Sequence, residues 1–158
     1  MTKEDTRSPT VTQEGLILSC VINVMDNRDF DNTNITGNFL HTKMEGTVQV
    51  RLNGILANIL LKFEPENYRD KVFIERSKKG IYDFLKCALH GYLISSLLFW
   101  RVLVVKLKSW GLHPNPYEPC IMNKDVYGNL CTVCWHMDDF KISYVQSAVV
   151  GDVLRCLE

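Results

Sequence analysis

The feature that most constrains this chain is Asp138-Asp139, set between two runs with strong β preference. Leu130 to Met137 (LCTVCWHM) and Phe140 to Val145 (FKISYV) are rich in β-branched and aromatic residues. Such runs around a polar pair predict a hairpin with the acidic residues at its tip. Aspartate has a local reason to sit in a turn, because its carboxylate hydrogen-bonds nearby backbone. Two adjacent carboxylates are also hard oxygen ligands of the kind a divalent cation takes. On residue preferences alone turn chemistry is the commoner meaning, so the pair gains significance only from what the chain places beside it.

Periodicity elsewhere predicts the setting. Within residues 11–25, Leu16, Cys20, Val21 and Val24 recur at helical spacing, which predicts a helix with that stripe buried. The stretch DNRDFDNTNITGNF is turn-rich, with Phe30 to Ile35 as a short strand. Thr47 to Leu52 (TVQVRL) alternates as a half-buried strand, a turn follows at Asn53-Gly54, and Ile55 to Phe63 reads as a short helix ending before Pro65. Lys71 to Ile74 and Gly80 to Phe84 predict two strands around the basic turn RSKKG, itself a solvated surface. The clearest helix is Ser95 to Trp110, with Leu97, Trp100, Leu103, Val104 and Leu107 as its stripe and Gly111 and Pro114 to stop it. A short helix, Val149 to Leu157, closes the chain. Without a regular βαβ period, the expected class is α+β with a mostly antiparallel sheet.

At 158 residues the chain suits one domain with a substantial core, since domains of this size bury roughly 70% of their unfolded surface. Residues 1–10 (MTKEDTRSPT) read as a flexible lead-in and residues 11–158 as the domain. Eighteen basic residues balance eighteen acidic ones. That neutrality argues against tight autonomous binding of a polyanion. The polar N-terminus has no apolar signal core, so the six cysteines read as reduced thiols in an intracellular, cytoplasmic protein. The longest apolar run, Tyr92 to Val105, is interrupted by Ser95, Ser96 and Arg101 and falls short of the roughly 20 residues a bilayer requires. No membrane partner is expected.

Several segments then fall in the order of one known family. Thr132 to Ser143 (TVCWHMDDFKIS) resembles the strand, acidic turn and strand of reverse transcriptases, in which an aromatic residue precedes two aspartates. Ser8-Pro9-Thr10-Val11 resembles the opening of the palm in copia-type elements. Asn34-Ile35-Thr36-Gly37-Asn38-Phe39 falls on the element Asp-x-x-x-Ala-Phe, and Ala88-Leu89-His90-Gly91 is similar to Ala-Leu-Tyr-Gly, which leads into the template-side helix. Leu98-Phe99-Trp100 continues that helix, and GLHPNPYEPC, 111–120, resembles Gly-Phe-x-x-x-x-Tyr-Asp-Pro-Cys. The resemblance to the copia-type retrotransposon reverse transcriptase covers about residues 7–157.

The resemblance implies a palm-like antiparallel sheet packed by helices, with incomplete fingers and no thumb. The basic finger strands would precede residue 1, and the primer grip, thumb and ribonuclease H would follow residue 158. It implies RNA-directed DNA polymerisation on an RNA/DNA template-primer with dNTP. That chemistry uses two divalent ions, Mg2+ or Mn2+, about 3.5–4 Å apart. Asp138 becomes the stronger metal ligand and Asp139 the weaker. Phe39, Asn38 and Gly91 become substrate-binding positions, with Phe39 excluding a ribose 2′ hydroxyl.

The departures from the family pattern predict little or no activity. Asn34 stands where the bridging aspartate belongs, and a neutral amide with one carbonyl oxygen cannot bridge two cations. Losing several kcal/mol of transition-state stabilisation slows a reaction by on the order of a thousandfold or more. Asp31 is no substitute, because a three-residue offset along a strand moves a side chain about 10 Å and to the opposite face. Asn38 replaces a family alanine, Ile94 replaces a polar residue, and His90 replaces a tyrosine. The metal is therefore expected to bind weakly or not at all.

Rival readings are weaker. Zinc at Cys131, Cys134 and His136, with Cys120, has sound ligands, but residues 131 and 134 face opposite ways in a strand and no glycine-bearing knuckle follows. On that view His136 is a packed residue. A nucleophilic Cys134 or Cys120 has no visible oxyanion site or orienting group. The serious alternative is a non-catalytic remnant that serves as a protein or nucleic-acid interaction module, with protein partners held through exposed apolar surface.

Overall fold

A computed structural model describes residues 7–35, 42–75, 77–92 and 94–157. Asn38 and Phe39 lie outside the described residues, as does Arg76 of the basic turn. Among the described residues the chain is mixed α and β, with five α-helices and two sheets in which all strand pairs are antiparallel.

The larger sheet has the order β1-β8-β7-β6-β5. Its strands are β1 (Asp29–Asn34), β5 (His113–Pro114), β6 (Ile121–Val126), β7 (Asn129–His136) and β8 (Asp139–Tyr144). The smaller sheet has the order β2-β4-β3, built from β2 (Gln49–Asn53), β3 (Val72–Glu75) and β4 (Lys78–Phe84). Helices α1 (Gln13–Met25), α2 (Ile55–Phe63), α3 (Pro65–Tyr68), α4 (Ser95–Ser109) and α5 (Ser147–Leu157) intervene. The strand β6, the short β5 and the single-turn α3 are absent from the sequence reading.

One face of the larger sheet carries the apolar core. Cys131, Val133 and Trp135 of β7 and Phe140, Ile142 and Tyr144 of β8 cluster with Phe99, Leu103 and Leu107 of α4 and Val150 of α5. The inward line of α4 is thus Phe99-Leu103-Leu107, joined by Leu98, while Leu97, Trp100 and Val104 are only half-buried. The expected stripe is right at its C-terminal end and rotated by a residue at the other. Gly111 ends the helix with φ +82°. Leu112 N–H reaches back to the Leu107 carbonyl at 3.2 Å, a glycine-dependent stop.

The second face carries several polar groups beside the buried Ile121 and Cys134, and the α1 stripe expected to be buried is exposed. Leu16, Cys20, Val21 and Val24 are exposed, and the buried residues of the helix are Ser19 and Asn23. The reason lies beneath them, where alternation along β6, β7 and β8 places Asn123, Thr132, Lys141 and Ser143 on the α1 side. Buried polar groups require partners. Lys141 Nζ donates to Ser19 Oγ at 2.9 Å. Asn23 accepts from Lys141 Nζ at 3.0 Å and donates to Ser143 Oγ at 3.1 Å. These hydrogen bonds help to seat the helix on a face that also carries the buried Ile121 and Cys134.

The helix N-terminus is clamped as well. The Thr12 hydroxyl accepts from Gly15 N–H at 3.0 Å and itself donates to Glu118. A Cβ on Gly15 would lie 2.8 Å from Glu118 Oε2, so a larger residue there would have to displace that carboxylate. In the smaller sheet Phe73 lies across Gly80 and stacks on Tyr82 at 4.4 Å between centroids. Among the described residues no helix is long and apolar enough to cross a membrane.

Candidate functional site

The register of three strands assembles the site. His136 of β7 pairs with Asp139 of β8, and Asp139 pairs with Asn34 of β1. Because directly opposed residues share a face, these three side chains form one row across the sheet. Asn34 Nδ2 donates to Asp139 Oδ1 at 2.9 Å, joining positions 105 residues apart. Ile35 N–H donates to the Asp138 carbonyl at 3.1 Å, which extends the contact by one backbone bond. The face is opposite the one that bears the apolar core, since Asp139 and Phe140 alternate along β8.

The hairpin is tighter than the sequence suggests. The turn is Met137-Asp138, and Asp139 already belongs to β8. Met137 takes φ +55°, a conformation the first loop position of a tight hairpin requires and glycine adopts more readily. Asp138 is half-buried and reaches β1 through its backbone, whereas Asp139, the weaker ligand on the resemblance, meets Asn34 through its carboxylate.

A cleft of about 730 Å³ opens beside this row, between the strands and the first turns of α1. Asn32, Asn34, His136, Asp139 and Lys141 supply its polar lining, and Val11, Leu16, Cys20 and Phe30 much of the rest. His136 is exposed on the cleft rather than packed, a correction to the sequence reading. Asn32, His136 and Lys141 are the site residues that sequence reasoning missed as a group. Their signal is present as the two-residue period of three strands, but it becomes readable only once the register is known.

Gly91 lies elsewhere, in a turn ahead of α4 with φ +83°, and does not line the cleft. Asp31 pairs opposite Ile142 in a ladder that runs without a bulge from Asp29–Tyr144 to Asn34–Asp139. Its side chain therefore faces away from Asn34, and its carboxylate accepts from Asn32 N–H at 2.8 Å.

The residues present do not fit a pair of divalent cations. Position 34 offers a neutral amide whose N–H2 already points at Asp139. Among the described residues no three His, Cys, Asp or Glu side chains converge as a metal site. Cys131 sits in the core on the α4 side while Cys134 faces the cleft, so these two thiols do not share a ligand set.

Burial decides the thiol chemistry. It pushes the Cys120 thiol up to about 12 and the Cys134 thiol up to about 11, and it raises Cys131 as well. The thiolate is the reactive form, so these groups are inert near neutral pH. Cys20, exposed on α1, is expected to alkylate in the native protein, whereas Cys120, Cys131 and Cys134 react only after unfolding. Mass-spectrometric mapping of iodoacetamide adducts checks this, and native labelling of Cys120 as fast as Cys20 would contradict the burial. No protein-family model, curated protein or solved structure gives a significant match to the chain.

Proposed function

We propose that the chain derives from the palm of a copia-type reverse transcriptase and does not itself add nucleotides. The observation that carries this reading is the Asn34–Asp139 contact. The segment similar to the first catalytic element and the segment similar to the acidic hairpin lie far apart in sequence, and the resemblance requires them to meet. Their side chains do meet, at the mouth of a cleft.

On this reading the cleft is the relic of the polymerase centre, where template-primer and dNTP would lie in active relatives. The amide at residue 34 removes the charge that would hold Mg2+ or Mn2+, and with it the means of activating a primer hydroxyl. A second reading, a non-catalytic interaction module for protein or nucleic acid, draws support from the uncovered apolar side of α1.

Primer extension on an RNA template with Mg2+ or Mn2+, comparing the natural chain with Asn34→Asp, tests the proposal. The natural chain is expected to give no product above background. Robust extension by the natural chain would overturn the inactivity.

A further inference from the structure

The outward side of α1 carries more apolar surface than a solvated helix needs. Ile17, Leu18, Val21, Val24 and Met25 are 56%, 59%, 47%, 83% and 79% exposed. Their spacings of three, four and seven place them on one strip of the helix, opposite the buried Ser19 and Asn23. No charged residue occurs from Gly15 to Met25. Among the described residues the strip stays exposed, while Ser19 and Asn23 on the other side of the helix hold polar contacts to the sheet.

We propose that this ridge is a self-association surface, on which α1 of a second copy of the chain packs antiparallel about Val21. In that arrangement Ile17 and Leu18 of one copy fall opposite Val24 and Met25 of the other. The alternating three- and four-residue spacing is the seam that lets two helices interlock. A ridge without charge offers nothing to an acidic or basic partner, while a two-fold copy presents the same apolar surface to itself. Full coverage of the five side chains on both copies would bury roughly 1,000 Å², the lower bound for a specific interface. The dimer is therefore weak and concentration-dependent.

The competing route to a dimer, pairing of the β1 edge that is unpaired among the described residues, is opposed by Asp29 and Asp31, which would bring like charges together across the new ladder. The ridge lies on the side of α1 away from the sheet, so Asn34→Asp leaves association unchanged and the two proposals fail separately.

Sedimentation equilibrium of the full chain from about 5 to about 200 µM tests the inference, in the range where an interface of this size associates. The natural chain is expected to approach twice the monomer mass. Val21→Asp is expected to weaken association by about a hundredfold or more, because it sets two carboxylates against each other. Ile74→Asp, at a site 74% exposed on β3, serves as the control and is expected to leave the dimer intact. Far-UV circular dichroism establishes that both variants fold. A natural chain that stays monomeric at about 200 µM overturns the proposal. So does association that continues beyond a dimer, or that Ile74→Asp abolishes equally. Capture of a different protein on the ridge by a monomeric chain assigns the surface to another occupant and overturns it as well.

Discussion

Asn34→Asp is expected to tighten Mn2+ binding at the cleft by about tenfold or more, because it converts one carboxylate beside a neutral amide into two carboxylates on adjacent strands. The natural pair is joined by an amide-to-carboxylate hydrogen bond of 2.9 Å. The variant loses that donor and sets two negative charges in its place. Both positions are exposed, so the repulsion is near the solvated end of the Coulomb range and costs about 1–2 kcal/mol with the lost hydrogen bond.

The sign of the pH dependence follows. A like charge nearby raises the carboxyl above its unfolded value, so the folded variant holds a proton that the unfolded chain has released. Stability of the variant therefore falls as pH rises through the carboxylate range, and a divalent cation restores it above that range. Urea unfolding of both proteins across acid to neutral pH, with and without Mn2+, reads out each part. Equal Mn2+ affinity in the two proteins would mean that Asp139 and residue 34 do not face one cleft.

Trp135→Ala is expected to cost about 3–5 kcal/mol, the usual range for removing a buried aromatic. Trp135 is 2% exposed and stacks with Phe140 at 6.4 Å between centroids. It sits on β7, the strand that links β6 to β8, so its loss opens a cavity where α4 meets the sheet. Against a typical total of about 5–15 kcal/mol that is about a fifth of the stability or more. Tyr117→Ala, at a site 94% exposed, is the comparison and is expected to leave the urea midpoint unchanged. A Trp135→Ala midpoint close to the natural one would show that β7 does not carry the core.

Much of the local structure was legible in the sequence. Ile55–Phe63 forms the predicted helix residue for residue, and β1, β2, β3 and β4 begin within two residues of where alternation and turn chemistry put them. β6 was not legible, because Ile121-Met122-Asn123-Lys124-Asp125-Val126 is polar in the middle and does not alternate. The orientation of α1 was misread for a different reason. Its apolar period is real, but helix faces are chosen by what lies beneath them, and here that is a lysine, a serine and a threonine contributed by distant strands.

The candidate site divides in the same way. Sequence alone determined the turn that holds Asp138, the strand that carries Asn34, and the neutral amide at that position, since turn preference, alternation and residue chemistry are local properties. Only the tertiary structure decided that Asp139 rather than Asp138 faces Asn34, that His136 and Lys141 share their cleft, and that α1 turns its apolar side outward. The site outcomes depend on strand register, and a slip of one residue would move every side chain of the slipped strand to the other face.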